Sequence, residues 1–181
     1  DAWRQQGRSH RSHSGAVWEP TDLDYTWRQP TDDSLSHPFG AAVTVMSHYD
    51  ELKYPPAPVL ELRMSCPDSS PSSAPVSALI DSGSDFTLAP EKWLIEIGAP
   101  VLRTASVRGL WSDYRSVMLY LVDLHLEQGV LTNIEVVGVS SHDPEDDQEM
   151  ILGRNVLNKL IVLLDGPRLL SEVLQRRPLK F

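Results

Sequence analysis

The sequence feature that most constrains the fold is a run in which three apolar residues lead directly into an acidic glycine turn. The apolar residues 78–80 precede Asp81, and Ser82 and Gly83 follow it. Such a run predicts a strand that carries the carboxylate toward a dry interior, where an unpaired charge is costly. Gly83 allows the main chain to turn sharply after the carboxylate. Taken alone, the turn fits either a reactive carboxylate or an ordinary turn aspartate.

Short apolar segments separated by turn residues make up most of the chain after residue 58. Residues 59–64 alternate apolar and polar side chains, as a half-buried strand does. Further strands are predicted at 76–80, 86–88, 105–107, 116–126, 131–139, 150–152 and 160–164, and short helices at 90–97 and 154–159. This pattern predicts a mainly β domain that forms a closed or folded-over barrel with one or two small helices.

Composition excludes several classes of function. The formal net charge of −9 argues against nucleic acid as a partner, because phosphate binding needs a basic surface. The single cysteine, Cys66, excludes an intrachain disulfide and a paired-cysteine metal site. No histidine spacing predicts a metal site, so we expect neither metal nor cofactor. No apolar run or signal-peptide pattern indicates a membrane segment, so we expect a cytoplasmic protein or a part of a larger polyprotein.

The chain divides into three parts by composition. Residues 1–57 are a polar extension for which a prosegment, a linker or a clamp can be considered, and a linker is favoured. Residues 58–166 form the main domain, and residues 167–181 form a tail. A short helix is predicted in the tail from one apolar face, formed by Leu169, Leu170, Val173 and Leu174.

Two segments resemble the signatures of the retropepsin-like aspartic proteases of retroviruses, retrotransposons and some bacteria. Residues 78–88 resemble the active-site segment of that family. Residues 151–157 resemble its second signature, which consists of two apolar residues, Gly, Arg, Asn and the start of a helix. The two segments occur in the family's order and at a similar separation, and the resemblance covers residues 59–165. It implies the acid-protease fold, a closed β-barrel that is active as a symmetric homodimer.

The resemblance assigns roles to individual residues. Asp81 would be catalytic, Ser82 and Gly83 would support its loop, and Ser84 and Asp85 would bind substrate. Asp85 would also form an ion pair within the monomer with Arg154. The second signature would thread behind the catalytic loop with Ile151, Leu152 and Gly153.

Only one copy of the Asp-Ser-Gly turn is found, whereas the family's mechanism needs two facing carboxylates. Asp165 and Gly166 lack the hydroxyl residue, and the single-chain form of the fold needs about twice this length. A second copy of the chain would therefore supply the other Asp81. Two carboxyls that share one proton separate into a base and an acid, which can activate water between them.

The segment that matches the family's flap departs from its usual glycine-rich tip. Arg108, Gly109, Leu110 and Trp111 would cover the substrate, although an ordinary hairpin with a packed tryptophan is the alternative. The acidic loop 143–149 could favour basic substrate residues or be only a solvated loop.

The sequence thus predicts an aspartic endopeptidase that acts on peptide or protein substrates, and release of the chain from a polyprotein by self-cleavage can be considered. Two alternatives remain: a weakly catalytic dimerisation or peptide-binding module of the same fold, and a monomeric barrel with an accidental motif.

Overall fold

The computed structural model describes residues 27–28, 45–108, 114–140 and 149–175. Strands account for most of these residues. The strands are β1 Trp27–Arg28, β2 Val45–His48, β3 Val59–Ser65, β4 Val76–Ile80, β5 Thr87–Pro90, β6 Val101–Arg108, β7 Tyr114–Leu126, β8 Gly129–Val139, β9 Met150–Leu152, β10 Ile161–Asp165 and β11 Leu170–Leu174. The helices are α1 Glu91–Glu96 and α2 Arg154–Leu157, and a 3-10 turn spans Gly166–Arg168.

Six strands close into a ring. They pair in the order β8, β5, β9, β4, β3 and β7, and β7 pairs with β8 again to complete the circle. Strand β6 extends the sheet beyond β7, and β1 extends it beyond β8. The predicted mainly β, closed barrel with short helices is confirmed.

The barrel encloses the apolar core because side chains alternate along each strand. In β3 the core residues Leu60, Leu62 and Met64 are at most 3% exposed, while Glu61 and Arg63 between them face solvent. Removing a buried leucine side chain from such a core typically costs about 2–5 kcal/mol. The alternation that predicted β3 therefore also determines which of its residues stabilise the barrel.

A second sheet of three strands joins residues 45–48 to the last two strands of the described chain. Strand β11 pairs with β10 on one side and with β2 on the other. Buried Ser171 donates a hydrogen bond to the main-chain oxygen of Val59 at 2.8 Å and ties this sheet to the barrel. Residues 45–48 of the predicted extension are therefore part of the folded body.

The predicted helix in the tail is wrong for residues 170–174, which form strand β11. The strand predicted at 160–164 is confirmed as β10 Ile161–Asp165, and β11 follows it as a further strand that the sequence did not predict. Burial alternates along β11, with Ser171 and Val173 buried, as strand geometry requires. A turn at Gly166–Arg168 reverses the chain and pairs β11 with β10. This pairing and the contact with β2 outweigh a local apolar spacing that fits a helix equally well.

Most of the predicted extension and residues 176–181 of the tail lie outside the described residues. In the part of the chain that is described, no helix has both the length and the apolar character needed to cross a membrane.

Candidate active site

Asp81 lies at the end of β4, where the two sequence signatures meet. Strand β4 runs parallel to β9, and Leu79 and Ile80 lie opposite Ile151 and Leu152. The main-chain N–H of Asp81 donates to the oxygen of Leu152 at 3.1 Å. The structure thus brings together two segments that are about 70 residues apart in the sequence, at the carboxyl ends of two neighbouring parallel strands.

The carboxylate of Asp81 is oriented by its own turn. Its Oδ1 accepts a hydrogen bond from the Gly83 N–H at 2.8 Å, and its main-chain oxygen accepts one from the Ser84 N–H at 3.3 Å. A Cβ atom at Gly83 would lie 3.1 Å from the same Oδ1. Glycine therefore permits the close approach that fixes the carboxylate.

The turn lies at the surface of the single chain and not in a dry interior. Asp81 is half-buried, while Ser82 and Gly83 are exposed. Strand β4 carries core residues as far as Ile80, and the chain leaves the barrel at Asp81. The expectation of a dry environment for this carboxylate is therefore not met within one chain.

The start of α2 holds the loop after Asp81. The Arg154 N–H donates to the oxygen of Ser84 at 2.9 Å, and the Asn155 N–H donates to the oxygen of Asp85 at 3.2 Å. The Ser84 hydroxyl donates to the oxygen of Phe86 at 2.7 Å. Loop carbonyls thereby satisfy N–H groups that a helix leaves unpaired in its first turn.

Asp85 and Arg154 form an ion pair through Oδ1 and Nη2. Their side chains are 68% and 52% exposed. An ion pair in such contact with water contributes only about 0–1 kcal/mol to stability. The pair therefore orients two side chains at the edge of the loop and adds little to folding.

The side chain of Asn155 connects three segments, a role that sequence reasoning missed. Its Oδ1 accepts from the main-chain N–H of Thr87 at 2.8 Å and from the Thr87 hydroxyl at 2.9 Å. Its Nδ2 donates to the main-chain oxygen of Glu135 at 2.8 Å. The Thr87 hydroxyl accepts in turn from the Gly153 N–H at 3.1 Å. Asn155 lies inside the second signature, which was the only signal the sequence offered.

Gly153 lets the second signature pass directly behind the loop. A Cβ atom at this position would overlap the main-chain carbonyl of Phe86 and would lie 2.9 Å from its nitrogen. The backbone of Gly153 is extended, with φ −88° and ψ −179°, which any residue adopts. Close packing, and not backbone conformation, therefore requires glycine here.

An apolar row on the outer wall of the barrel leads to the Asp81 turn. Leu79, Ile151, Leu88 and Val137 lie opposite one another across four adjacent strands. They point away from the core because their strand neighbours point into it. The first three are only half-buried, so apolar surface remains open beside the carboxylate.

The predicted flap is described only at its base. Arg108, which is exposed, lies opposite Tyr114 at the end of the β6–β7 pairing that adjoins residues 109–113. Gly109, Leu110 and Trp111 lie outside the described residues. Residues 143–148 of the acidic loop also lie outside them, and Glu149 forms an ion pair with Lys53 at 3.0 Å.

A serine and a histidine lie together elsewhere, in an arrangement unsuited to nucleophilic catalysis. His125 Nε2 lies 2.8 Å from the hydroxyl oxygen of Ser65, whose proton is directed to the oxygen of Ser69 at 3.1 Å. Ser65 is fully buried. Burial lowers the pKa of His125, and the negative charge of Asp123 partly opposes this shift. The pair therefore anchors a loop.

No cluster of three or more histidine, cysteine, aspartate or glutamate side chains suited to a metal ion occurs in the described ranges. Cys66 donates a hydrogen bond from Sγ to the oxygen of Gly98 at 3.4 Å.

Neither a protein-family model nor a curated protein sequence matches the chain. The chain is similar to the crystal structure of a retropepsin-like aspartic protease from Rickettsia conorii, with 9% identity and a TM-score of 0.47, over 76% of this chain and 95% of that one. It is also similar to the EIAV protease in complex with an inhibitor, with 16% identity and a TM-score of 0.39, over 57% of this chain and 86% of that one.

Proposed function

We propose that the chain is an aspartic endopeptidase in which two copies each supply one Asp81. The observation that carries the proposal is the parallel pairing of β4 and β9. At the end of this pair, the turn after β4 orients the carboxylate of Asp81. The surface position of the turn supports the need for a second chain. A facing copy would exclude water from the carboxylates and bring them close enough to share a proton.

Peptide-bond hydrolysis would use a water molecule between the two carboxyls. The ionised carboxylate takes a proton from the water, whose oxygen attacks the peptide carbonyl carbon. The protonated carboxyl gives its proton to the carbonyl oxygen and forms a tetrahedral diol. The first carboxyl, now protonated, then gives its proton to the peptide nitrogen, and the second carboxylate takes a proton from one hydroxyl of the diol as the C–N bond breaks. Atoms and charges thus balance, and the carboxyl pair again holds one proton.

The second sheet offers a surface for the partner copy. By register, its outer face carries Met46 opposite Glu172, and Glu172 opposite Leu163. Met46 is 59% exposed, so this face presents a large apolar side chain to water. A second copy on this face would cover these side chains.

The substrate would be an extended peptide with apolar side chains near the scissile bond. The half-buried Leu79, Ile151 and Leu88 next to Asp81 support this preference, since an apolar side chain gains free energy by covering them. Main-chain pairing with strands at the cleft would hold the peptide extended.

Cleavage of a peptide library by wild type and by Asp81→Asn, from about pH 3 to about pH 8, tests the proposal. Asparagine keeps an oxygen that can accept from the Gly83 N–H, so the fold is expected to survive. Asp165→Asn is the matched control, because Asp165 directly precedes Gly166 without an intervening serine and lies in β10. We expect cleavage by wild type and the control only, and sensitivity to pepstatin.

Equal cleavage by Asp81→Asn would remove Asp81 from catalysis. A dimer that binds peptides without cleaving them would instead favour the peptide-binding module.

A further inference from the structure

A buried carboxylate on β8 connects the outer strand β6 to the barrel. Glu135 accepts from Arg103, with Oε2 and Nη2 separated by 3.2 Å. The Glu135 side chain is 8% exposed, whereas that of Arg103 is 45% exposed. The guanidinium therefore reaches from the surface to neutralise a charge that is largely removed from water.

The Arg103 side chain reaches across an entire strand. Arg103 lies opposite Leu119 on β7, and Glu135 lies opposite Leu121 on the other edge of the same strand. In the described residues β6 pairs with β7 alone, so one of its edges has no strand neighbour. The ion pair thus connects β8, through side chains, to the root of the β6–β7 hairpin, which is the end that contains Arg103 and lies away from residues 109–113.

The main chain of Glu135 faces the active-site loop. Its carbonyl oxygen accepts from Asn155 Nδ2, while Asn155 Oδ1 holds the N–H and the hydroxyl of Thr87. Thr87 lies six residues after Asp81 in the same segment. Glu135 therefore contacts the hairpin through its side chain. Its main chain contacts Asn155, which in turn holds the segment that carries Asp81.

We propose that Glu135 and Arg103 are positioning residues that couple the root of the β6–β7 hairpin to the segment carrying Asp81. Loss of the guanidinium leaves the Glu135 carboxylate buried without its cation, a strongly unfavourable state. The carboxylate then turns toward water and displaces β8 locally. That displacement lengthens the bond from Asn155 to the Glu135 oxygen and releases the Asn155 side chain from Thr87.

The N–H of Thr87 reports this coupling directly, because its acceptor is the Asn155 side chain. In the full chain, residue-resolved hydrogen exchange is compared between wild type and Arg103→Met. We expect exchange at Thr87 to accelerate at least about tenfold. Arg63→Met is the control, since Arg63 is an exposed arginine on β3 that contacts the oxygen of Ser73, and no change at Thr87 is expected.

The double variant Arg103→Met/Glu135→Gln separates charge from simple loss of contact. A neutral amide costs less to leave buried without a partner than a carboxylate does, so residue 135 is expected to stay in place and exchange at Thr87 to return to within about threefold of wild type. Unchanged exchange at Thr87 in Arg103→Met, or equally fast exchange in the double variant, would overturn the proposal. If Arg103→Met does not fold, recovery of folding in the double variant supports the coupling, and failure of both contradicts it.

The catalytic consequence rests on the proposed function and is measured separately. We expect Arg103→Met to raise KM for an extended peptide by about tenfold, because Thr87 adjoins Leu88 of the proposed substrate surface. We expect kcat to stay within about threefold of wild type, because the Gly83 N–H still orients the Asp81 carboxylate. A chain without any cleavage activity would refute the proposed function and leave the exchange result standing. A normal KM together with accelerated exchange would remove the role in substrate positioning.

Discussion

Replacing Gly153 by alanine tests the contact on which the architecture of the candidate active site depends. The new Cβ would overlap the Phe86 carbonyl, and the obstacle is main chain, which cannot rotate away as a flexible side chain can. The dihedral angles of Gly153 suit alanine. The entire cost therefore comes from moving β9 and α2 away from the loop.

The expected loss of stability follows from the nature of the obstacle. Inserting one methyl group into a packed site costs about 1–3 kcal/mol, and a collision with main chain lies at or above the upper end. A loss of about 3 kcal/mol corresponds to a fall in Tm of about 6–12 °C for a chain of this size. The hydrogen bonds from Arg154 to Ser84 and from Asn155 to Asp85 would be strained together with the packing.

Urea unfolding at a fixed protein concentration measures the loss, and Gly166→Ala provides the control. A Cβ at Gly166 would meet nothing within 4 Å, so this variant is expected to unfold within about 0.5 kcal/mol of wild type. If Gly153→Ala is as stable as Gly166→Ala, the second signature does not pass behind the Asp81 loop as described.

Three further outcomes are expected. Thr87→Val keeps the volume but removes the hydroxyl that pairs with Asn155 and Gly153, and urea unfolding should show a loss of about 1–3 kcal/mol; an unchanged midpoint would contradict the network. Arg154→Lys should lower stability by less than about 1 kcal/mol in the same assay, because its ion pair is exposed, and a loss of several kcal/mol would show a greater structural role. Burial holds the pKa of His125 in the folded chain below its ordinary value of 6.5. The stability contributed by the neutral ring is therefore fully present above pH 6.5 and is lost as the pH falls from there through the lower pKa of the folded chain. Thermal unfolding of His125→Gln should therefore depend less on pH than that of wild type between about pH 7 and about pH 5, and identical profiles would exclude this contribution.

Local patterns predicted the elements around the site. Alternation defined β3, the apolar run defined β4, and Pro90 marked the start of α1. These features depend on neighbouring residues, so the sequence contains them directly. The same holds for β9 and α2, where apolar residues, a glycine and the helix start follow in order.

Long-range pairing could not be predicted in the same way. The spacing of apolar residues in the tail fits a helix, yet β11 is a strand because β10 and β2 lie on its two sides. Arg103 and Glu135 are 32 residues apart and meet only because β7 lies between them in the sheet. Asn155 was visible as part of a motif, but its bond to the Glu135 oxygen depends on where β8 passes.

The dry environment expected for Asp81 also depends on information beyond one chain. The apolar residues before it correctly predicted a strand that enters the core, but the turn emerges at the surface. In the proposed dimer a second chain buries the turn, which links the electrostatics of the carboxylate to the pairing of two chains.

Mixing wild type with Asp81→Asn tests the shared active site most directly. The two chains are unfolded together, refolded at a constant total concentration and assayed for peptide cleavage at increasing fractions of the variant. If each site needs one Asp81 from each of two chains, activity falls with the square of the wild-type fraction, to about one quarter at an equal mixture. A linear fall to about one half would show that each chain acts alone and would contradict the shared site.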